Sequence, residues 1–149
     1  MDKINFQNLP NTTTPINATN MNLLQTNVEN ALPTSNSSTN GSWLIIGDIA
    51  ICWYSYTKNT PVSSAWGSGF SSGEFSLPDF PITFAEIPKV FKSLDNGGYA
   101  GVVMSANSNP ATIVNPGNVQ IYRGTSATAV DYIINVLAIG KYNNGGISI

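Results

Sequence analysis

The chain has 149 residues, of which 42% are hydrophobic and 9% charged, so it is long enough to bury one sizeable core. Its formal net charge is −2 and it contains no histidine, which excludes the basic surface that nucleic acid requires. The single cysteine excludes an intrachain disulfide, and a chain with one cysteine and no histidine is poor in metal ligands.

Residues 1–20 contain Pro10 and Pro15 but no periodic apolar pattern, which predicts an extended arm. The sequence has neither the apolar stretch of a classical signal peptide nor an apolar run long enough to cross a membrane. We therefore expect a protein that is made in a cytoplasm and is not inserted in a bilayer.

The next segment, MNLLQTNVENAL, is the one clear helical pattern and predicts a short helix over residues 21–33. Its apolar residues recur at spacings of four and three, as at heptad positions a and d. Such a short helix is marginal in water on its own, so the pattern predicts association with copies of itself. The residues of this seam are Met21, Leu24, Val28 and Ala31.

After the polar stretch TSNSSTNG, which predicts a linker over residues 34–41, the pattern changes to strand-like alternation. WLII and IAICWYSY flank Gly47-Asp48, and a two-residue loop that begins with glycine predicts a type II′ hairpin. DYIINVLAIGKY predicts a central strand, whereas SSAWGSGFSSGEF predicts a loop. Further strands are expected near residues 75–77, 90–94, 99–106, 111–114 and 119–123. Short strands at this spacing predict a mainly β chain whose head, residues 42–149, is an antiparallel β-sandwich.

Catalytic chemistry finds little support in the sequence. Glu74, Asp79 and Glu86 are the best trio of carboxylates for a glycosidase, but turn acids are expected in such a Pro- and Ser-rich region. A serine hydrolase would lack its histidine base, and no nucleotide-binding motif is present. Cys52 lies within the apolar run IAICWY and is expected to be buried and inert. We predict a protein that is not an enzyme and holds no cofactor or metal.

Aromatic side chains are the stronger functional signal, because an exposed ring can cover the apolar C–H face of a sugar. Trp53 lies within the alternating strand and is expected in the core, whereas Trp66 lies in a Gly/Ser-rich segment where exposure is as plausible as burial. The candidate residues for glycan or host contact are Trp66, Tyr56, Asp95, Asn96, Tyr99, Tyr122 and Arg123.

Three motifs in this order, LIIGDIAICWYSYT, FPITFAEIPKV and INVLAIGKY, resemble the C-terminal domain of phage tail fibres over roughly residues 43–142. In that family the tryptophan of the first motif is usually followed by glycine, whereas Tyr54 follows Trp53 here. Residues 4–32 also resemble the start of fibre or tail proteins from phages of Gram-positive bacteria. The matching positions of the second and third motifs are Phe80, Pro81, Phe84, Pro88, Val90, Ala138, Ile139 and Gly140.

The resemblance implies an H-type-lectin-like β-sandwich in a short homotrimeric fibre of a virion, either a head fibre or a tail fibre or spike. The head would contact host-surface glycans, and the helix would form the threefold joint. Residues 1–20 would bind other virion proteins through Ile4, Phe6, Leu9, Pro10, Pro15 and Ile16. A free carbohydrate-binding lectin and a purely structural decoration protein stay open as alternatives, and a polysaccharide hydrolase ranks last.

Overall fold

The computed structural model describes residues 18–95, 101–106 and 108–143. Within these ranges the chain forms one helix, α1 (Ala18–Ala31), followed by ten β-strands. The strands are β1 (Thr34–Ser38), β2 (Gly41–Ile46), β3 (Ile49–Val62), β4 (Ser64–Trp66), β5 (Gly69–Ser71), β6 (Phe75–Ser76), β7 (Lys89–Asp95), β8 (Val102–Ser105), β9 (Asn118–Arg123) and β10 (Ala127–Lys141).

The strands form two sheets. Sheet A has the order β1-β2-β3-β10-β7, and sheet B has the order β4-β5-β9-β6 with β8 also paired to β9. All pairings between these strands are antiparallel, and a shared core fills the space between the sheets. The predicted mainly β, antiparallel, sandwich-like fold is confirmed.

The two longest strands, β3 and β10, pair along almost their whole length in the middle of sheet A. The segment predicted as a central strand is β10, which lies between β3 and β7. The β2–β3 hairpin is also confirmed, because Ile46 pairs with Ile49 across Gly47 and Asp48. Gly47 has a φ of 61°, the left-handed value that the first position of a type II′ turn requires and that glycine adopts without strain.

The core consists of the inward-facing residues of both sheets and of the connection between β6 and β7. Every second residue of β3 and β10 points inward, because side chains alternate between the two faces of a strand. Removing these side chains from water is the main favourable term in folding. The buried apolar cluster contains Ala50, Cys52, Val62, Leu77, Phe80, Phe84, Val119, Ile121, Tyr132, Ile134, Val136 and Ala138.

The connection that carries the motif FPITFAEIPKV packs into this core through two phenylalanines. The rings of Phe80 and Phe84 lie edge to face, with centroids 5.3 Å apart and an interplanar angle of 85°. The Phe80 amide donates to the Val114 carbonyl at 2.8 Å, and the Phe84 amide donates to the Ile113 carbonyl at 3.0 Å. These bonds satisfy buried backbone groups that no strand ladder pairs, so the connection is held without regular secondary structure.

The glycine of the A-I-G motif has a packing role at the same place. A Cβ atom on Gly140 would lie 2.9 Å from Cβ of Pro88 and 3.0 Å from a ring carbon of Phe84. Phe84 also forms an isolated antiparallel bridge with Tyr142. The second and third motifs of the sequence therefore meet in space, and glycine at position 140 permits their close approach.

Three predictions for local structure are wrong. Residues 34–41 are not a linker, because Thr34–Ser38 form β1 and pair with β2. The segment predicted as a loop contains the β4–β5 hairpin, which turns at Gly67 with a φ of 58°. Residues 111–114 form no strand and are held in place partly by the backbone bonds to Phe80 and Phe84.

The predicted helix is present as α1, but no strand packs along it in the described part of the chain. Leu23, Leu24 and Val28 are each more than half exposed, and Met21 is partly buried. The side chain of Ala31 and the arm residues 1–17 lie outside the described residues. Among the residues that the structure does describe, no helix is long and apolar enough to span a membrane. Within the described ranges, no strand covers the apolar side of α1.

Candidate binding surfaces

Two of the predicted contact residues, Trp66 and Tyr122, meet on the outer face of sheet B. Their ring centroids are 5.2 Å apart and the rings are inclined at 75°, so the two aromatics contact edge to face. Trp66 is 49% exposed. We call this pair the Trp–Tyr patch.

Pairing between strands that are distant in sequence builds the Trp–Tyr patch. Trp66 of β4 pairs with Gly69 of β5, and the next position on that face, Ser71, pairs with Tyr122 of β9. A Cβ atom on Gly69 would collide with the hydroxyl group of Tyr122. Because glycine occupies that position, the tyrosine ring lies across the strand and reaches the tryptophan.

Arg123 does not join the patch, although it was predicted beside Tyr122. Consecutive strand residues face opposite sides, so Arg123 points toward sheet A. Its guanidinium donates a hydrogen bond to the hydroxyl of buried Tyr132 at 3.2 Å. Arg123 therefore ties the two sheets together.

The other candidate residues do not gather around Trp66. Tyr56 is partly buried and packs against the core from the inner face of sheet A, so it does not lie beside Trp66. Asp95 lies at the end of β7 on the outer face of sheet A, where it pairs with Ile133. Asn96 and Tyr99 lie outside the described residues.

A second surface, which the sequence analysis did not predict, lies on the outer face of sheet A. Trp53, Leu137 and Phe91 stand side by side on β3, β10 and β7, with exposed fractions of 45%, 37% and 58%. They line an open groove of about 510 Å³. The prediction that Trp53 belongs to the core is therefore wrong.

A row of polar residues lies beside Trp53, Leu137 and Phe91, two residues along each strand on the same face. Ser55 pairs with Asn135, and Asn135 pairs with Ser93 on the far side. The Ser55 hydroxyl donates to the side-chain oxygen of Asn135 at 2.6 Å. Apolar and uncharged polar groups thus occupy neighbouring strips of one sheet face.

Two carboxylates of the predicted trio act as local hydrogen-bond acceptors. Glu74 accepts a hydrogen bond from the Ser108 hydroxyl, and Asp79 accepts one from the Asn115 side-chain amide at 2.7 Å. Each bond joins the segment between β5 and β7 to the loop before β9. No cluster of three or more His, Cys, Asp or Glu residues suited to a metal ion occurs in the described ranges.

Cys52 is buried as expected. Burial raises the pKa of its thiol to about 11, with a hydrogen bond to the backbone of Ala138 opposing the shift. A thiol with such a pKa is almost entirely protonated at neutral pH and is a poor nucleophile. The side chain serves as a small apolar core residue.

No protein-family model matches the chain, and no curated protein does either. A solved structure of the R1 pyocin fibre of P. aeruginosa, comprising C-terminal residues 323–701, matches with a TM-score of 0.50 and 20% sequence identity. The match covers 73% of this chain and 28% of the fibre chain. The fold is tail-fibre-like.

The match agrees with the fold expected from the tail-fibre motifs. The part of this chain that matches spans less than a third of the length of the fibre fragment. The likeness to H-type lectins and the resemblance of the N-terminal segment to proteins of phages of Gram-positive bacteria stay predictions.

Proposed function

We propose that the chain is a structural virion protein, a short trimeric fibre whose β head contacts glycans on the host surface. The observation that carries this proposal is the shared fold with a fragment of the R1 pyocin fibre. The proposal assigns no reaction to the chain and no cofactor, metal or nucleic acid. The fibre would be assembled in the host cytoplasm and then belong to the virion.

The uncovered helix supports the trimeric part of the proposal. Leu24 and Val28, which occupy heptad positions, expose 56% and 52% of their surface. A 14-residue helix of low charge gains too little from its own hydrogen bonds to persist in water without packing. Three parallel copies would bury these side chains along one axis. Residues 1–20 would then bind other proteins of the virion.

The Trp–Tyr patch supports the glycan part of the proposal. Trp66 presents half of its surface, and Tyr122 holds the ring from the side. A preorganised ring binds a sugar face with little loss of conformational entropy, because its rotamer is already restricted. The strand registers place Ser64, Ser76 and Asn118 on the same face of sheet B, and such uncharged polar groups suit neutral hydroxyls. A free lectin would use the same patch.

Binding to an array of bacterial surface polysaccharides tests the glycan contact. We expect the unmodified 149-residue chain to bind a subset of spots, Trp66→Ala to lose about tenfold or more in affinity, and Trp66→Phe to retain most of it. Ile87→Ala, which truncates an apolar residue that is 65% exposed, is the matched control and should bind normally. Equal binding by Trp66→Ala and the wild type would remove the patch from the proposal.

A further inference from the structure

The outer face of sheet A carries an apolar surface that nothing in the described part of the chain covers. Its register places these residues on four neighbouring strands, all pointing away from sheet B. Their exposed fractions range from 37% to 58%. We call it the outer apolar face, and it consists of Ile46, Ile49, Trp53, Phe91, Ile133 and Leu137.

The outer apolar face is large enough to be functional. With side-chain areas of about 150–250 Å² for the larger residues, these exposed fractions leave on the order of 500 Å² of apolar surface in water. The largest apolar patch on a typical monomer covers about 300–600 Å² and is often a functional surface. Three such faces meeting around one axis would together bury about 1,500 Å², so each pair of heads would share less than the roughly 1,200 Å² of a typical specific interface and the helices would have to add to it.

The distribution of charge on this face also matches a protein interface. Lys89 and Lys141 lie at one end of the strands, Asp95 and Asp131 lie at the other, and the aromatic row between them is uncharged. Interfaces between proteins typically have such an apolar centre with charged residues at the rim. A small ligand would fill only the groove beside Leu137, so it would not account for the apolar residues elsewhere on this face.

The connection between α1 and sheet A relates the outer apolar face to the helix. α1 ends at Ala31 and β1, the edge strand of sheet A, begins at Thr34. Three residue steps span at most about 11 Å, so helices packed about 8–10 Å apart would keep the copies of sheet A close together. Association of the helices would thereby raise the effective concentration of one outer apolar face beside another.

We infer that the outer apolar face is the surface through which the β heads of neighbouring copies of this chain pack against each other. The inference rests on the trimer proposed above and adds a second contact to the helical joint. It explains how so short a helix is held, because head and helix contacts then stabilise one assembly. It also leaves the Trp–Tyr patch, on the opposite face of the sandwich, directed away from the packed heads.

Replacing the two aromatic residues of this face in the 149-residue chain tests the inference. Phe91→Thr and Trp53→Thr keep residues with high strand propensity and remove the rings. Ile87→Thr removes an exposed apolar side chain outside sheet A and is the matched control. Native mass spectrometry and sedimentation equilibrium over a concentration series give the stoichiometry, and far-ultraviolet circular dichroism reports the fold.

We expect the wild type and Ile87→Thr to be trimers. The Trp53→Thr/Phe91→Thr chain should dissociate at concentrations at least about tenfold higher than the wild type does, with an unchanged circular dichroism spectrum. A double variant that stays trimeric at wild-type concentrations overturns the head contact and leaves the proposed trimer intact. A monomeric wild type refutes the trimer itself. If, in that monomer, Leu24→Asn shifts the fluorescence of Trp53, the chain's own helix covers the face and the inference fails.

Discussion

Replacement of Phe84 by alanine tests whether the motif FPITFAEIPKV builds the fold. Phe84 is completely buried, contacts Phe80 edge to face and packs beside Gly140. Phe→Ala in a core costs about 3–5 kcal/mol, and loss of the aromatic pair adds about 0.5–1.5 kcal/mol. Since domains of this kind have about 5–15 kcal/mol of stability in total, Phe84→Ala should remove a large part of it.

Urea denaturation and thermal denaturation, both followed by tryptophan fluorescence, measure this loss as a free energy of unfolding and as a melting temperature. For a chain of this size we expect Phe84→Ala to lower the melting temperature by about 10 °C or more, since each kcal/mol corresponds to about 2–4 °C. Ile87→Ala, on the same connection but 65% exposed, should change the free energy of unfolding by less than about 0.5 kcal/mol. A loss below about 1 kcal/mol for Phe84→Ala would refute the packing role of the motif.

Three further outcomes are expected. Gly140→Ala should lower the free energy of unfolding, measured by urea denaturation, by about 1–3 kcal/mol because the added Cβ has no room. Gly124→Ala, with open space around it, should be neutral, and equal effects of the two changes would contradict the close approach at Gly140. Cys52 should resist iodoacetamide at pH 8 in the native state and react after unfolding, and rapid labelling of the native chain would contradict its burial. Because the pKa of its thiol in the folded state is about 11, above the usual 9.0, its contribution to the free energy of unfolding should fall as pH rises between these values. Leu24→Asn with Val28→Asn should weaken the trimer at least about tenfold in sedimentation equilibrium without altering the β spectrum, and an unchanged trimer would remove the helical joint.

Local signals in the sequence were sufficient for several elements of the fold. The turn at Gly47 requires a positive φ, and a glycine between two β-rich segments directly indicates such a turn. The alternation of residue types along β10 indicates a strand whose inner face is buried. Each of these features depends on neighbours in the chain, so sequence patterns were enough to predict them.

Strand β1 could not be predicted because its side chains carry no pattern. All five of its residues are polar and exposed, and the strand is held at the edge of sheet A by backbone pairing with β2. Charged or polar residues at edges are common because they discourage further strand addition. Backbone pairing of this kind leaves no periodicity in the residue types.

The position of Trp53 could not be predicted for a different reason. Strand β3 has apolar residues on both faces, and such a pattern indicates that both faces are covered. In the part of the chain that the structure describes, only the inner face is covered. A sequence pattern does not separate an apolar strand residue that packs in the core from one that stays exposed on the outer face.

The candidate site was predictable only in part. Trp66 was singled out from its Gly- and Ser-rich surroundings, which left exposure and burial equally plausible, and the structure shows its side chain 49% exposed. Its contact with Tyr122 depends on the pairing of β5 with β9, which are about fifty residues apart in the chain and carry no local signal of each other. The same pairing turns Arg123 inward, so adjacency in sequence was misleading there.

The mass of the 149-residue chain in solution tests the central claim most directly. Native mass spectrometry at micromolar concentration should give a species of three times 15.8 kDa, because the uncovered helix and the outer apolar face both need copies of the chain. The trimer should persist at moderate salt, since apolar contacts are not screened. A species of 15.8 kDa alone would contradict the fibre proposal.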